Sequence, residues 1–255
     1  MSNRPLSSLQ PKAFRRLGGA ALLIATLAFA SGAAALPNWN GIWLRQGSIN
    51  FDPGVPPEQV DMGAPLTPEY AARYKARLAA RAAGKPTGDP TATCVPGGMP
   101  RLMNMVYPME VLMAPGQVTV IAEWNSQVRR IFTDGRPHPQ DPDPTYNGHS
   151  IGRWEGDALV VDTIGLRSDT VFTQAGLEHS DAMRIAERFR MKGDVLEDEL
   201  TVIDPKMLTR PWTVVKRFKR APKGFEMMEY VCEENNRNPV DASGVTGVVL
   251  TVPPK

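Results

Sequence analysis

The feature that most restricts this chain is a succession of short β-rich segments beyond Pro100, separated by turn residues, with no helical crossover among them. Apolar and polar residues alternate there with period two, which turns one face of each segment toward a core and the other toward solvent. Nine strands are predicted, over 107–114, 117–124, 127–133, 149–155, 158–164, 183–191, 195–203, 211–220 and 225–232. The short separators Pro115-Gly116, Asn125-Ser126, Gly156-Asp157, Gly193-Asp194 and Pro222-Lys223-Gly224 suit tight turns. Strands joined in this way form an antiparallel up-and-down meander, and a sheet of this size curls into a barrel or folds into a sandwich. The expected class is mainly β over residues 101–236.

Two Gly-Asp pairs fix registers. A two-residue loop at Gly193-Asp194 sets Arg190 opposite Glu197 and Arg188 opposite Glu199 on one face, with Met191 opposite Leu196 and Ile185 opposite Val202 on the other. A one-residue slip would destroy both patterns. The apolar face then also carries Glu187 and Asp198 as diagonal neighbours. They read either as a paired general acid and base or as acids satisfied by arginines elsewhere in the sheet. The same rule at Gly156-Asp157 places His149, Ile151, Arg153, Val160, Asp162 and Ile164 on one face, and Trp154, Leu159 and Val161 on the core face. Arg153 and Asp162 become diagonal neighbours, within reach of an ion pair.

The region 36–100 is an extension rich in proline and glycine with one helix, over about 68–83. Thr67 offers an N-cap, Pro68 suits the first helical position, and Gly84 followed by Pro86 ends it. Tyr70, Tyr74 and Leu78 share a face that packs on the main body. Residues 237–255 form a tail, in which 245–252, "VTGVVLTV", is a candidate further strand.

Residues 1–35 have the layout of an export signal: Lys12, Arg15 and Arg16 precede the apolar run Leu17–Phe29, and small residues follow up to Ala35. The run is shorter than the roughly 20 residues of a membrane span, so a cleaved leader is preferred over a retained anchor. Without it the 29 basic residues fall to 25 against 27 acidic ones, and the formal charge changes from +2 to −2. That balance gives no footprint for nucleic acid or an anionic membrane surface. Cys94 and Cys232 are the only cysteines. An oxidising compartment favours joining them, with two buried thiols as the alternative.

In a strict meander alternate connections lie at the same end, so the long connections 134–148, 165–182 and 204–210 are expected to gather at one rim. With their borders they hold every histidine, His138, His149 and His179, together with Arg136, Tyr146, Asp181 and several further aspartates. Loops on a rigid sheet, and the mouth of a barrel above all, are where ligands are usually held. Three uses of such a rim stay open. Imidazoles and carboxylates bind metal ions, although His138 and His149 match no tight ligand spacing. A histidine oriented by Asp181 or another aspartate serves as general acid or base. The loop "DGRPHPQDPDP" also reads as a rigid structure that caps its own backbone.

The segments "TDGRPHPQDPDPTYNGHSIGRWEGDALVVDTIG", "HSDAMRIAERFR" and "DPKMLTRPWTV" followed by "MEYVCEENN" resemble those of a group of exported bacterial proteins. The resemblance implies export and carries no catalytic assignment. Ligand-carrying barrels of the lipocalin kind are an analogy from strand count alone. The expectation is an exported, periplasmic or secreted β-barrel-like protein that binds a small, partly apolar organic ligand. Arg136, His138, Tyr146, Arg153, Asp162, Glu187 and Asp198 are its candidate contacts. The alternative is a cofactor-free or metal-assisted isomerase, lyase, hydratase or hydrolase, with His149, His179 and Asp181 as its acid-base groups.

Overall fold

Alternation along the chain does produce a barrel. In the computed structural model, nine strands close into one ring in sequence order. The structure describes residues 36–47, 51, 63–86, 88–235 and 242. The export leader and the candidate strand at 245–252 lie outside the described residues. The strands are β1 (Gly41–Gln46), β2 (Met109–Ala114), β3 (Gln117–Ala122), β4 (Gln127–Phe132), β5 (His149–Glu155), β6 (Ala158–Ile164), β7 (Arg184–Lys192), β8 (Val195–Ile203) and β9 (Trp212–Arg220). One helix, α1 (Pro68–Ala82), packs outside the ring with Tyr70 and Tyr74 buried. Thr67 stands at its N-cap without a side-chain cap bond; its hydroxyl donates instead to the Lys206 carbonyl at 3.1 Å, tying the helix to the β8–β9 connection. No described helix is long and apolar enough to cross a membrane.

Both Gly-Asp hairpins have the register that the turn rule sets. Arg153 pairs with Val160 and His149 with Ile164; Arg190 pairs with Glu197 and Met191 with Leu196. Gly156 and Gly193 take φ of 64° and 62°, the positive values that a two-residue hairpin asks of its first turn position. Inward residues form the core: Leu159 and Val161 on β6, Ile185 and Phe189 on β7, Leu196, Leu200 and Val202 on β8.

The strand list needs one correction. Residues 225–232 are not a strand, and the ring is closed by 41–46, from the segment assigned to the extension. β1 pairs with β2 on one side and with β9 on the other, and the Ala221 amide still donates to the Ile42 carbonyl at 2.8 Å. With both neighbours taken, no edge remains for a strand after β9. Segment 225–232 therefore runs across the outside. It is fastened by Met228 N–H to the Glu123 carboxylate (2.8 Å), by an edge-to-face contact of Tyr230 with Tyr107, and by the Cys94–Cys232 disulfide. That bond spans 138 positions, for which the chain-entropy model gives a stabilisation of about 4–5 kcal/mol.

A second correction changes the site. β4 and β5 pair in parallel, Ile131 with Ser150 and Phe132 with Ile151. Strict alternation of ends fails at that step, and the connection 133–148 must travel the length of the wall. It leaves beside the β2–β3 turn, where Thr133 N–H donates to Gly116. It ends beside the start of the β6–β7 connection, where Thr145 N–H donates to Gly165 at 3.0 Å. The three long connections thus do not share a single rim.

Residues 97–104 plug the interior. Met99, Arg101, Leu102, Met103 and Asn104 are all buried. Gly98, at φ 62°, lies so close to the Tyr146 carbonyl that a Cβ would sit 2.2 Å from its oxygen. Arg101 is held by a buried two-toothed ion pair with Asp89 (2.8 and 3.0 Å).

Candidate functional site

The two faces of the β5–β6 hairpin carry two different polar assemblies. Facing inward are Ser150 and Thr163, which are register partners with hydroxyls 2.8 Å apart. Both meet the guanidinium of Arg129 on β4, at 3.0–3.3 Å, and Arg129 forms a two-toothed pair with Glu187 on β7. Every member is at most 2% exposed. The pair survives burial because hydroxyls and opposite charge satisfy most of its hydrogen-bonding capacity, as a buried ion pair requires. Arg129 therefore answers the demand of Glu187, as one of the two readings of the inward acids expected.

Asp198 has no such answer. It is fully buried and neither carboxylate oxygen has a hydrogen-bond partner. Its register partner on β9, Lys216, reaches past it to Asn104 Oδ1 at 2.8 Å and lies over the Phe51 ring. Burial, reinforced by the nearby Glu187 charge, pushes the Asp198 carboxyl well above the ordinary carboxylate range. That shift favours its neutral form.

The outward face carries a chain of three titratable groups. His138, in the connection that crosses the wall, places Nε2 3.0 Å from Asp162 Oδ2 and Nδ1 2.9 Å from His149 Nδ1. Arg184 on β7 binds the same carboxylate through Nε (2.5 Å) and Nη2 (2.6 Å). Burial alone would raise the Asp162 carboxyl, but hydrogen bonds from Arg184 and His138 outweigh it and leave it lowered. A charged Asp162 fixes the tautomers. His138 donates from Nε2, its neutral Nδ1 accepts, and His149 must donate from Nδ1. His149 is then left with a bare Nε2, which makes no hydrogen bond among the described residues, on a half-buried ring. Desolvation lowers the His149 imidazole, with smaller contributions from His138 and Arg136, so it stays neutral at neutral pH. Phe132 lies beside this ring at 5.4 Å between centroids, and the Arg136 guanidinium lies over the Phe132 ring at 4.1 Å.

The other expected site residues lie elsewhere. His179 is buried in the β6–β7 connection, donates from Nδ1 to the Ser180 carbonyl (3.1 Å) and accepts at Nε2 from Thr170 (2.8 Å). Burial lowers its pKa, and both nitrogens are used in holding the loop. Asp181 does not orient it; that carboxylate points outward to Lys206 Nζ at 2.5 Å. The expected Arg153–Asp162 pair does not form, because Arg153 pairs with Glu155 along its own strand while Asp162 is claimed by Arg184 and His138. Similarly, Arg188 pairs with Glu155 and Glu197 is held by Lys192 and Arg217. Tyr146 sits under Arg167, and Arg136 is paired with Asp134. Among the described residues no three His, Cys, Asp or Glu side chains are arranged to hold a metal ion.

Sequence reasoning missed Arg129, Lys216 and Arg184. The first two were signalled by period two: Arg129 shares a face with Ile131, and Lys216 lies between Val214 and Phe218 on the buried face of β9. Arg184 required knowledge that β6 pairs with β7, with Asp162 opposite Ala186 two residues along. No protein-family model matches this sequence, and no curated protein matches it, so its chemistry is read from the site alone.

Proposed function

We propose that this is an exported enzyme that performs proton transfer on a small, partly apolar organic substrate, with His149 as the general base and acid. The observation that carries this reading is the hydrogen-bonded series Asp162, His138, His149, which ends in an imidazole nitrogen with no partner. A proton taken up at Nε2 is compensated by transfer of the Nδ1 proton to His138, whose positive charge then faces the Asp162 carboxylate. This lowers the cost of charging a half-buried ring. Phe132 supplies an apolar plate beside the imidazole, and the nearby Arg136 charge disfavours a permanently charged imidazolium. The chemistry fits isomerisation, elimination, hydration or hydrolysis, since each needs one group that accepts and returns a proton. The disulfide and the leader-like N-terminus support export, and the resemblance to exported bacterial proteins points the same way.

The test is a substrate panel for these four reaction classes, run on the wild type and on His149→Gln and Asp162→Asn. His149→Gln should lower turnover about 100- to 10,000-fold, the usual contribution of acid-base catalysis. Asp162→Asn should shift the acid limb of the pH–rate profile. Nitrogen NMR should find His149 protonated on Nδ1 at neutral pH and titrating below the ordinary histidine value of about 6.5. Unchanged turnover in His149→Gln, or a His149 protonated on Nε2, would overturn the assignment. A ligand retained without turnover would make the protein a binding module instead.

A further inference from the structure

The wall site leaves the barrel interior unused. Inside it is a void about the size of one water molecule, lined by apolar side chains that include Trp39, Met103, Met109, Phe189 and Leu196. Trp39 in that lining, and Asp198 next to two of its other members, carry polar atoms that nothing satisfies. Trp39 is 1% exposed and its indole N–H has no acceptor. The Trp39 ring packs on Phe189 at 6.4 Å between centroids, and Phe189 is the register partner of Asp198. Asp198, one pleat along β8 from Leu196, has two unpartnered oxygens. Buried polar groups in folded proteins almost always find partners, and their absence here needs an explanation.

Neighbouring groups do not supply one. Arg129 is engaged by Glu187, Ser150 and Thr163, and Lys216 by Asn104. The missing partner must accept from an indole N–H. It must also suit Asp198, whose neutral form burial favours and which in that form has an O–H to donate. The indole N–H and the carboxyl O–H both call for an acceptor, in surroundings that are otherwise apolar. Met103 and Met109, unbranched and with three rotatable bonds each, are the side chains on this wall best able to yield space.

We propose that the barrel lumen beside Trp39 and Asp198 is a second binding site, for a small uncharged molecule with an apolar body and one oxygen acceptor, such as a ketone. The body takes the void and the space released by the two methionines. The oxygen accepts from Trp39 Nε1–H and from the Asp198 carboxyl. A carboxylate or ammonium ligand is rejected by the apolar walls.

Cyclopentanone and cyclopentane are the probes, titrated into the full-length protein while the Trp39 indole N–H resonance is followed by NMR. Cyclopentanone should shift that resonance saturably and bind about tenfold more tightly than cyclopentane, the worth of one buried hydrogen bond. Asp198→Leu should reduce the preference, whereas Asp198→Asn, which keeps a donor and the shape, should retain it. The second variant keeps the test valid if the first fails to fold. No shift with either probe would assign the orphaned atoms to a buried water and overturn the proposal. Equal affinity for ketone and hydrocarbon, or an unchanged preference in Asp198→Leu, would overturn it as well. None of these readouts depends on His149.

Discussion

On the β5–β6 hairpin, adjacent residues face opposite environments and put similar chemistry to different ends. Thr163 and Ser150 point into the barrel, where they help to satisfy an Arg129–Glu187 pair shut away from water. Asp162 and His149, one residue along each strand, point outward and join His138 in a series that ends at an open nitrogen. The inner assembly is closed: its hydrogen bonds run back into itself, so it holds four strands together and offers nothing to a substrate. The outer one is open at one end. What separates a structural polar network from a reactive one here is the single unused acceptor lone pair at His149, since residue type alone does not distinguish them.

The largest effect should come from breaking the inner network. Glu187→Ala leaves the Arg129 charge buried without a partner and should cost about 3–5 kcal/mol in urea unfolding. The double replacement Arg129→Met/Glu187→Leu should cost far less, because both charges leave together. A small loss in the single variant would mean that water reaches the interior, and the contrast between the two faces would collapse.

Asp198 should respond in the opposite direction. Asp198→Leu removes an unsatisfied buried carboxyl and should stabilise the protein by about 1–3 kcal/mol near neutral pH. The gain should depend on pH. The native carboxyl is raised, so above the unfolded value of about 3.9 the unfolded chain has released a proton that the native state keeps. Native protein then binds more protons, and wild-type stability falls as pH rises through that window.

Asp162 gives the reverse slope. Its native carboxyl is lowered, so its contribution is present above the unfolded value and is lost as pH falls through the native one. Urea unfolding across roughly pH 3 to 8 should therefore show Asp198→Asn flattening the decline on the alkaline side and Asp162→Asn flattening the decline on the acid side. Slopes of the same sign for both aspartates would break the comparison. The smallest effect belongs to Arg184→Ala. Its outer ion pair with Asp162 involves a half-exposed arginine, and its loss should cost about 1 kcal/mol or less. A larger cost would show that the outer cluster is structural too.

How much of this was legible depended on the range of the interactions. The registers of both Gly-Asp hairpins followed from turn chemistry and period two, and with them the division of His149 and Asp162 from Trp154 and Leu159. The helix at 68–82 followed from its proline, its stop signals and its apolar stripe. β1 was not legible, because six residues that begin at Gly41 and end before Gly47 in a proline-rich region become a strand only when β2 and β9 offer two open edges. The charge pairs were read poorly for the same reason. Arg153 had a carboxylate closer along its own strand, and Asp162 had a stronger partner on a strand not yet placed beside it.

The sequence by itself determined which residues alternate, where the chain turns and which side chains share a face, because those properties are settled within one strand or one hairpin. Tertiary structure decided the rest. The parallel pairing of β4 with β5 carried the 133–148 connection along the wall instead of across a rim, and so joined His138 to His149 and left His179 apart. That choice rests on which open edges and buried surfaces meet once the ring closes, and no segment holds that information alone.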